Sequence, residues 1–222
     1  MAYQFDFVSV WEYREQLLGG IGHTLALTAA GIAGGGAVGV LGGVVRAWRL
    51  APFDRVVGAY VELIRNTPFL VQLFFIFFGL PALGLQLGEW QAAVLAMVLN
   101  LGAYSTEIIR AGIAATPRGQ LEAAAALAMS RRQIFLHVVL RPALLKVWPA
   151  LCSQIVIVML GSSVCSQIAA EELTFAANFI QSRNFRAFET YITVAMLYLL
   201  LSLLLRQALI VFGQRVIAGR KS

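Results

Sequence analysis

The sequence predicts an all-α membrane protein, a multi-span transmembrane bundle of about five spans with a coupling helix pair on the cytoplasmic side. Three observations carry this. Of 222 residues, 59% are hydrophobic and 13% charged, with a mean hydropathy of +0.78, more apolar side chain than one soluble core of this size holds. Apolar windows around Ile21–Val45, Trp90–Ser105 and Tyr191–Leu205 approach the run of about 20 residues that crosses a hydrocarbon layer of about 30 Å. The basic residues sort by side. If the first span runs outside to inside, all 17 except Arg14, Arg183 and Arg186 fall at or near cytoplasmic ends, with Arg65, Arg220 and Lys221 among them. That asymmetry puts the N-terminus outside and the C-terminus in the cytoplasm. The same scatter excludes a nucleic-acid surface, which needs basic residues clustered with aromatics on one face.

The elements follow in order within a single domain, residues 1–222. Residues 1–20 carry Asp6, Glu12, Arg14 and Glu15. Without a basic start, a long apolar stretch or a small-residue cleavage site, they are expected to be an amphipathic lead-in on the outer surface, not a cleaved signal peptide. Along the first span, Ile21–Val45, glycine recurs at Gly31, Gly35, Gly39 and Gly43. A spacing of four keeps these on one helix face and lets another helix approach closely. In APFDRVVGAYVELIRNTP, Arg55, Gly58, Glu62 and Arg65 share a stripe, which predicts an amphipathic helix at the inner surface. Thr67 and Pro68 restart the chain as cap and first helical residue. The apolar run Phe69–Phe78 then returns outward, a short span unless the preceding helix continues into it.

The third span starts near Trp90 and carries Asn100, Tyr104 and Glu107 at i, i+4 and i+7, one helix face. A charge at the bilayer centre costs about 2.5–3.5 kcal/mol on insertion scales, so polar groups there face protein or a watery path. Asn100, near mid-membrane, is the leading candidate for a substrate path, with Tyr104 and Glu107 below it. For Glu107 a second reading stands equal: an ion pair with Arg110 that anchors the cytoplasmic helix end. A fourth span is expected over Val147–Leu160, with Pro149 in its first turn. The wetter segment GSSVCSQIAAEELTFAANFIQSRNFRAFE follows outside, and its Ser162 and Ser163 are the outer candidates for the path. The fifth span runs from Tyr191 toward Phe212. Cys152 and Cys165 have neither metal nor disulfide spacing and are expected to be packing residues.

Between the third and fourth spans the apolar pattern stops at GQLEAAAALAMSRRQIFLHVVLRP, residues 119–142. Thr116 and Pro117 open one helix of strong helix formers. Ser130 to Gln133 is a capping box, S-x-x-Q, that opens a second. The corner falls near Ala128–Ser130. Glu122 and the pair Arg131 and Arg132 face water, while Leu121, Ala125 and Ala128 make a small apolar face suited to a groove. From the residues alone, a docking element for a cytoplasmic partner and a helical connecting loop are equally good readings.

GQLEAAAALAMSRRQIFLHVVLRPAL resembles the EAA loop of binding-protein-dependent ABC importer permeases. With VELIRNTPFLVQLFFIFFGLP, LNLGAYSTEIIRAGI and EELTFAANFIQSRNFRAFETY in the same order, nearly the whole chain is similar to the polar amino acid permease family, the histidine and glutamine type. The resemblance implies a type I importer of the bacterial cytoplasmic membrane that translocates a polar amino acid or similar small solute. Two permease subunits, the same chain or a related one, would form the pathway. Two ATPase subunits would drive it with ATP and magnesium, and an extracytoplasmic solute-binding protein would deliver the cargo. It further implies that residues 116–135 are the coupling region that docks in the ATPase, with Gly119, Glu122, Ala123, Ala124, Ala128, Arg131 and Arg132 as the coupling set. Glu122, Ala123 and Ala124 match the opening of the motif.

Three departures stand out. Ala128 replaces the family's usual glycine, so the corner either avoids the left-handed conformation or is strained. Arg141 and Pro142 stand where the family reads proline then glutamine. Leu160 and Gly161 stand where many relatives carry a lysine and a polar residue.

No cofactor site is expected on this chain. Its lysines are Lys146 and Lys221, neither after a glycine, so no phosphate-binding G-x-x-x-x-G-K-[ST] loop exists and ATP must be bound elsewhere. A scaffold or sensor subunit of the same kind of complex is the alternative. A membrane enzyme using His23 or His137 as base is the remoter one, since no G-x-S-x-G elbow is present.

Overall fold

A computed structural model describes residues 3–217. Arg220 and Lys221, assigned above to the cytoplasmic end, lie outside the described residues, as do residues 1 and 2 of the lead-in. Among the described residues the chain is helical and without strands. Four helical stretches are long and apolar enough to cross a membrane, and one bent pair brings the number to five when its two helices are counted as one span.

The lead-in is shorter than expected. A four-residue helix α1, Val8–Trp11, precedes α2, Arg14–Ala47, whose 34 residues absorb positions 14–20. Burial explains the early start, because Leu17 and Gly20 are covered and a methyl on Gly20 would lie 2.9 Å from the Leu173 backbone. Residues 3–6 are strapped to the start of the last helix: Tyr3 Oη donates to Glu189 at 2.5 Å, and the Asp6 amide donates to the same carboxylate at 3.0 Å.

The glycine ladder of α2 meets α5, Glu89–Ala114. Gly31, Gly35, Gly39 and Gly43 face Met97, Leu101, Ser105 and Ile109. Each step of four on α2 is matched by four on α5, so the two helices run parallel and in register. A Cβ on Gly43 would sit 2.7 Å from Ile109 Cγ2. Small residues permit this approach, and close van der Waals contact holds membrane helices together where no hydrophobic driving force acts.

The helical run between them is broken. Helix α3, Phe53–Arg65, does not continue into α4, Phe69–Phe74; the axes of 53–65 and 69–83 meet at 111°. Pro68, extended at ψ 141°, occupies the cap position and not the first helical residue. Inside a membrane the carbonyls freed by such a break must be satisfied internally. Asn66 Nδ2 donates to the Glu62 carbonyl at 2.8 Å, Thr67 Oγ1 to Leu63 at 2.8 Å, and the buried Gln72 Nε2 to Ile64 at 2.7 Å and Thr67 at 2.9 Å. The chain continues through a π-helical turn, Phe75–Gly79, and a 3-10 turn, Leu80–Leu83, before Gly84 reverses it at φ 84°.

After α5 comes the short helix α6, Arg118–Ala126. The second arm of the expected helix pair is not a separate helix. From α7, Arg131–Gln133, the chain passes through a π-helical stretch, Ile134–Leu140, into α8, Arg141–Gly161, with no break. The fourth span thus begins 16 residues ahead of the expected Val147. The π-helical stretch lies immediately ahead of Pro142, in the turn that the proline ring would otherwise crowd. A 3-10 segment, Ser162–Ile168, and α9, Leu173–Asn184, fold back on the start of α2. There Thr24 Oγ1 accepts from the Leu173 amide at 3.2 Å. Helix α10, Ala187–Phe212, completes the bundle. Cys152 and Cys165 are buried free thiols.

Candidate functional site

Two places in the fold carry the polar candidates. The first is the corner after α6. Pro117, and not Thr116, holds the N-cap position, extended at ψ 136°. At the other end Ala128 has φ 55°, the left-handed conformation. Its amide donates to the Ala125 carbonyl at 3.0 Å and that of Met129 to Ala124 at 3.2 Å. These two bonds are the Schellman arrangement that closes a helix, with alanine at the position glycine usually takes. Of the two outcomes open to Ala128, the corner is thus the strained one. Ser130 then caps the next helix: its amide donates to Gln133 Oε1 at 2.8 Å, and its Oγ accepts from the Gln133 amide at 3.4 Å. Trp48 braces the arm, its ring 4.4 Å edge-on from Phe135.

Gly119, Glu122, Ala123, Ala128, Arg131 and Arg132 are exposed on this corner, and Ala124 is buried. The apolar face differs from the expected one. Leu121 packs inward on the cluster of Ile109, Ile113 and Val139, because it shares the inner face with Ala124 one turn on. Ala125 and Ala128 of the expected face are exposed, together with Ala123, Ala126 and above all Leu127, 77% accessible.

The second place is a polar cavity of about 350 Å³ between the ends of α2, α3 and α5, lined by Arg46, Glu62, Arg65, Asn66, Tyr104 and Glu107 among others. Tyr104 and Glu107 come together here as the helical spacing implied. Arg110 grips Glu107 through two bonds, Nε at 2.9 Å and a terminal nitrogen at 2.5 Å. Arg46 pairs with Asp54 at 2.9 Å. Arg65, the last residue of α3, holds its guanidinium 5.4 Å over the Tyr104 ring, just ahead of the 111° bend. Tyr60 Oη fixes that placement by donating to the Leu99 carbonyl at 2.6 Å.

Asn100 does not line the cavity. It is half-buried and donates to Gln72 Oε1 at 3.1 Å, bracing the bend above. Ser162 and Ser163 lie apart from the cavity, where α8 ends. Their hydroxyls donate to their own helix, to Met159 at 2.6 Å and Leu160 at 2.7 Å. Sequence reasoning missed Gln72 and Tyr60. The signal for Gln72 was present, a lone amide in the run FLVQLFF. His23 packs its ring on Trp90, and His137 Nδ1 donates to the Gln133 carbonyl of its own helix. Near the outer end, Glu172 is buried, accepts from the Phe175 amide at 2.9 Å and from Tyr198 Oη, and burial pushes its carboxyl above the ordinary value.

The family model of the binding-protein-dependent transport system inner membrane component matches residues 35–218. The chain belongs to this family. It is similar to the glutamine transport system permease protein GlnP of Escherichia coli, at 35% identity over 204 residues, 91% of this chain and 93% of that one. It is likewise similar to the L-cystine transport system permease protein TcyB of Bacillus subtilis, at 35% identity over 201 residues, 88% and 86% of the two chains. Among solved structures, an amino acid ABC transporter superposes with a TM-score of 0.87 at 34% identity, covering 96% of this chain and all of that one. The MetNI methionine ABC transporter in inward-facing form superposes at 0.71, with 25% identity over 93% and 97% of the chains. The protein is a permease subunit of an importer of this family, a transport subunit built for the inner membrane and for a multi-subunit complex.

Proposed function

We propose that this permease passes a polar amino acid or similar small solute into the cytoplasm, taking it from an extracytoplasmic binding protein. The relatives' cargoes, glutamine and cystine, support that class. The N-terminus lies outside and the C-terminus inside, since five crossings place the ends on opposite sides and the basic residues gather inside. Two ATPase subunits bind ATP and magnesium, and a second permease subunit completes the pathway. The observation that carries this reading is the exposed corner of α6. Its end is locked by the Schellman bonds and the Ser130 capping box, and its outer face presents Glu122 and Leu127 to a partner. A rigid short helix held at both ends moves as a unit, so closure of an ATPase against it shifts α5 and α8 together. The proposed coupling set is Gly119, Glu122, Ala123, Ala124, Ala128, Arg131 and Arg132, with Glu122 its only carboxylate. Tyr104 and Glu107 line the path, Asn100 shapes it, and Ser162 and Ser163 stand at its outer end.

The complex reconstituted with its ATPase and binding protein should hydrolyse ATP faster when solute-loaded binding protein is added. Glu122→Lys should lower that stimulation several-fold while the subunits still co-purify. Unchanged stimulation in the variant removes the central role of Glu122.

A further inference from the structure

Glu62 and Arg65 belong neither to the coupling corner nor to the face of α5 that carries Tyr104 and Glu107. They stand one turn apart on α3, a spacing at which opposite charges ordinarily pair. Among the described residues the ion pairs are Arg46 with Asp54, Arg110 with Glu107, and Arg186 with Glu189. Neither Glu62 nor Arg65 has such a partner. Both line the 350 Å³ cavity and are exposed; Arg46 and Glu107 have their own ion-pair partners, and Arg65 feels Glu107 only at longer range, so the wall presents a cation and an anion that no salt bridge closes. Arg65 lies over Tyr104, which is ten residues from the inner end of α5 at Ala114, about 15 Å of helix. Charges on the wall of a cavity within a membrane bundle belong on a watery path and not against lipid. The volume lies at the lower end of small-molecule sites, about 300–1,000 Å³.

We propose that Glu62 and Arg65 form a clamp for the backbone zwitterion of an amino acid in transit, Arg65 taking the α-carboxylate and Glu62 the α-ammonium. This rests on the amino-acid reading above. A guanidinium offers two parallel donors that match a carboxylate, and a carboxylate accepts from an ammonium. Pairing both ends of the solute replaces the water each gives up. The clamp reads the part shared by all amino acids and leaves side-chain choice to the binding protein. A solute with a blocked amino or carboxyl group leaves one of the two charges unmatched and is held less well.

The test is uptake by proteoliposomes holding the whole complex with its binding protein, using each standard amino acid in radiolabelled form and then the best-transported one. Glu62→Gln and Arg65→Gln should each raise the half-saturating concentration or lower uptake about tenfold, the scale of one charge-assisted bond. Arg65→Lys should lose less than Arg65→Gln. Solute-stimulated ATP hydrolysis should persist in all three, with the solute affinity of the separate binding protein unchanged. The double variant Glu62→Arg with Arg65→Glu keeps both charges in the cavity and should recover part of the loss. Uptake within twofold of wild type in both glutamine variants overturns the clamp. So does dissociation of the complex in those variants, which would make the pair a subunit contact. If the wild-type complex assembles yet carries no amino acid, the amino-acid reading fails and the clamp with it, a result seen before any variant is measured.

Discussion

Ala128→Gly should tighten the corner proposed above to couple the permease to its ATPase. Ala128 holds φ 55°, a conformation that costs an L-residue about 1–2 kcal/mol and costs glycine almost nothing. Glycine returns part of this, because its greater freedom in the opened segment favours opening by about 0.4–1 kcal/mol. The net gain centres on about 0.8 kcal/mol, with bounds of about 0 and 1.6, or roughly fourfold in the opening equilibrium. It should appear locally, at the amides of Ala128 and Met129 that donate to Ala125 and Ala124. Hydrogen exchange of the reconstituted complex should show those two amides slowed by that factor, while amides in the middle of α5 keep their rates. Ala128→Val should act in the opposite sense, since a β-branched side chain fits the left-handed region worse than alanine. Exchange unchanged or faster in the glycine variant would refute the assignment of strain to this residue.

The polar supports offer two more expectations. Gln72→Leu removes the donor to the Ile64 and Thr67 carbonyls and the acceptor of Asn100; a buried polar group left unpaired costs about 1–3 kcal/mol, so thermal unfolding in detergent should shift clearly downward, and an unchanged midpoint would show that the bend does not need this amide. Glu172 titrates above its ordinary 4.5 because it is buried. Its neutral form is favoured in the fold, so its contribution is fully present below pH 4.5 and is lost as pH rises through the raised value. Glu172→Gln should therefore unfold at a temperature that gains on wild type from pH 4.5 upward, and a difference independent of pH would contradict this.

Much of the architecture was legible along the chain. The spans, the glycine ladder and the capping box all rest on interactions of short sequence range, helical periodicity and one-turn hydrogen bonds, so local pattern suffices. The start of α2 and the join of α7 to α8 were misplaced because distant packing decided them: Leu173 covers Gly20, and a π-helical stretch lies ahead of Pro142. Leu121 was assigned to the docking face for a similar reason. A small apolar stripe on a helix does not say which side is the bundle.

The sequence by itself determined that this is a helical membrane protein with an interrupted polar corner, and family-wide motifs placed the chain among the importer permeases. Both follow from composition and from residues adjacent in the chain. Only the tertiary structure decided which helix meets the glycines, that Asn100 braces Gln72, that Ala128 is left-handed, and that Arg65 lies over the Tyr104 ring. Those outcomes depend on an inter-helix register and on a 111° bend, which no local pattern encodes. The charges that stay unpaired can be known only once every helix has taken its place.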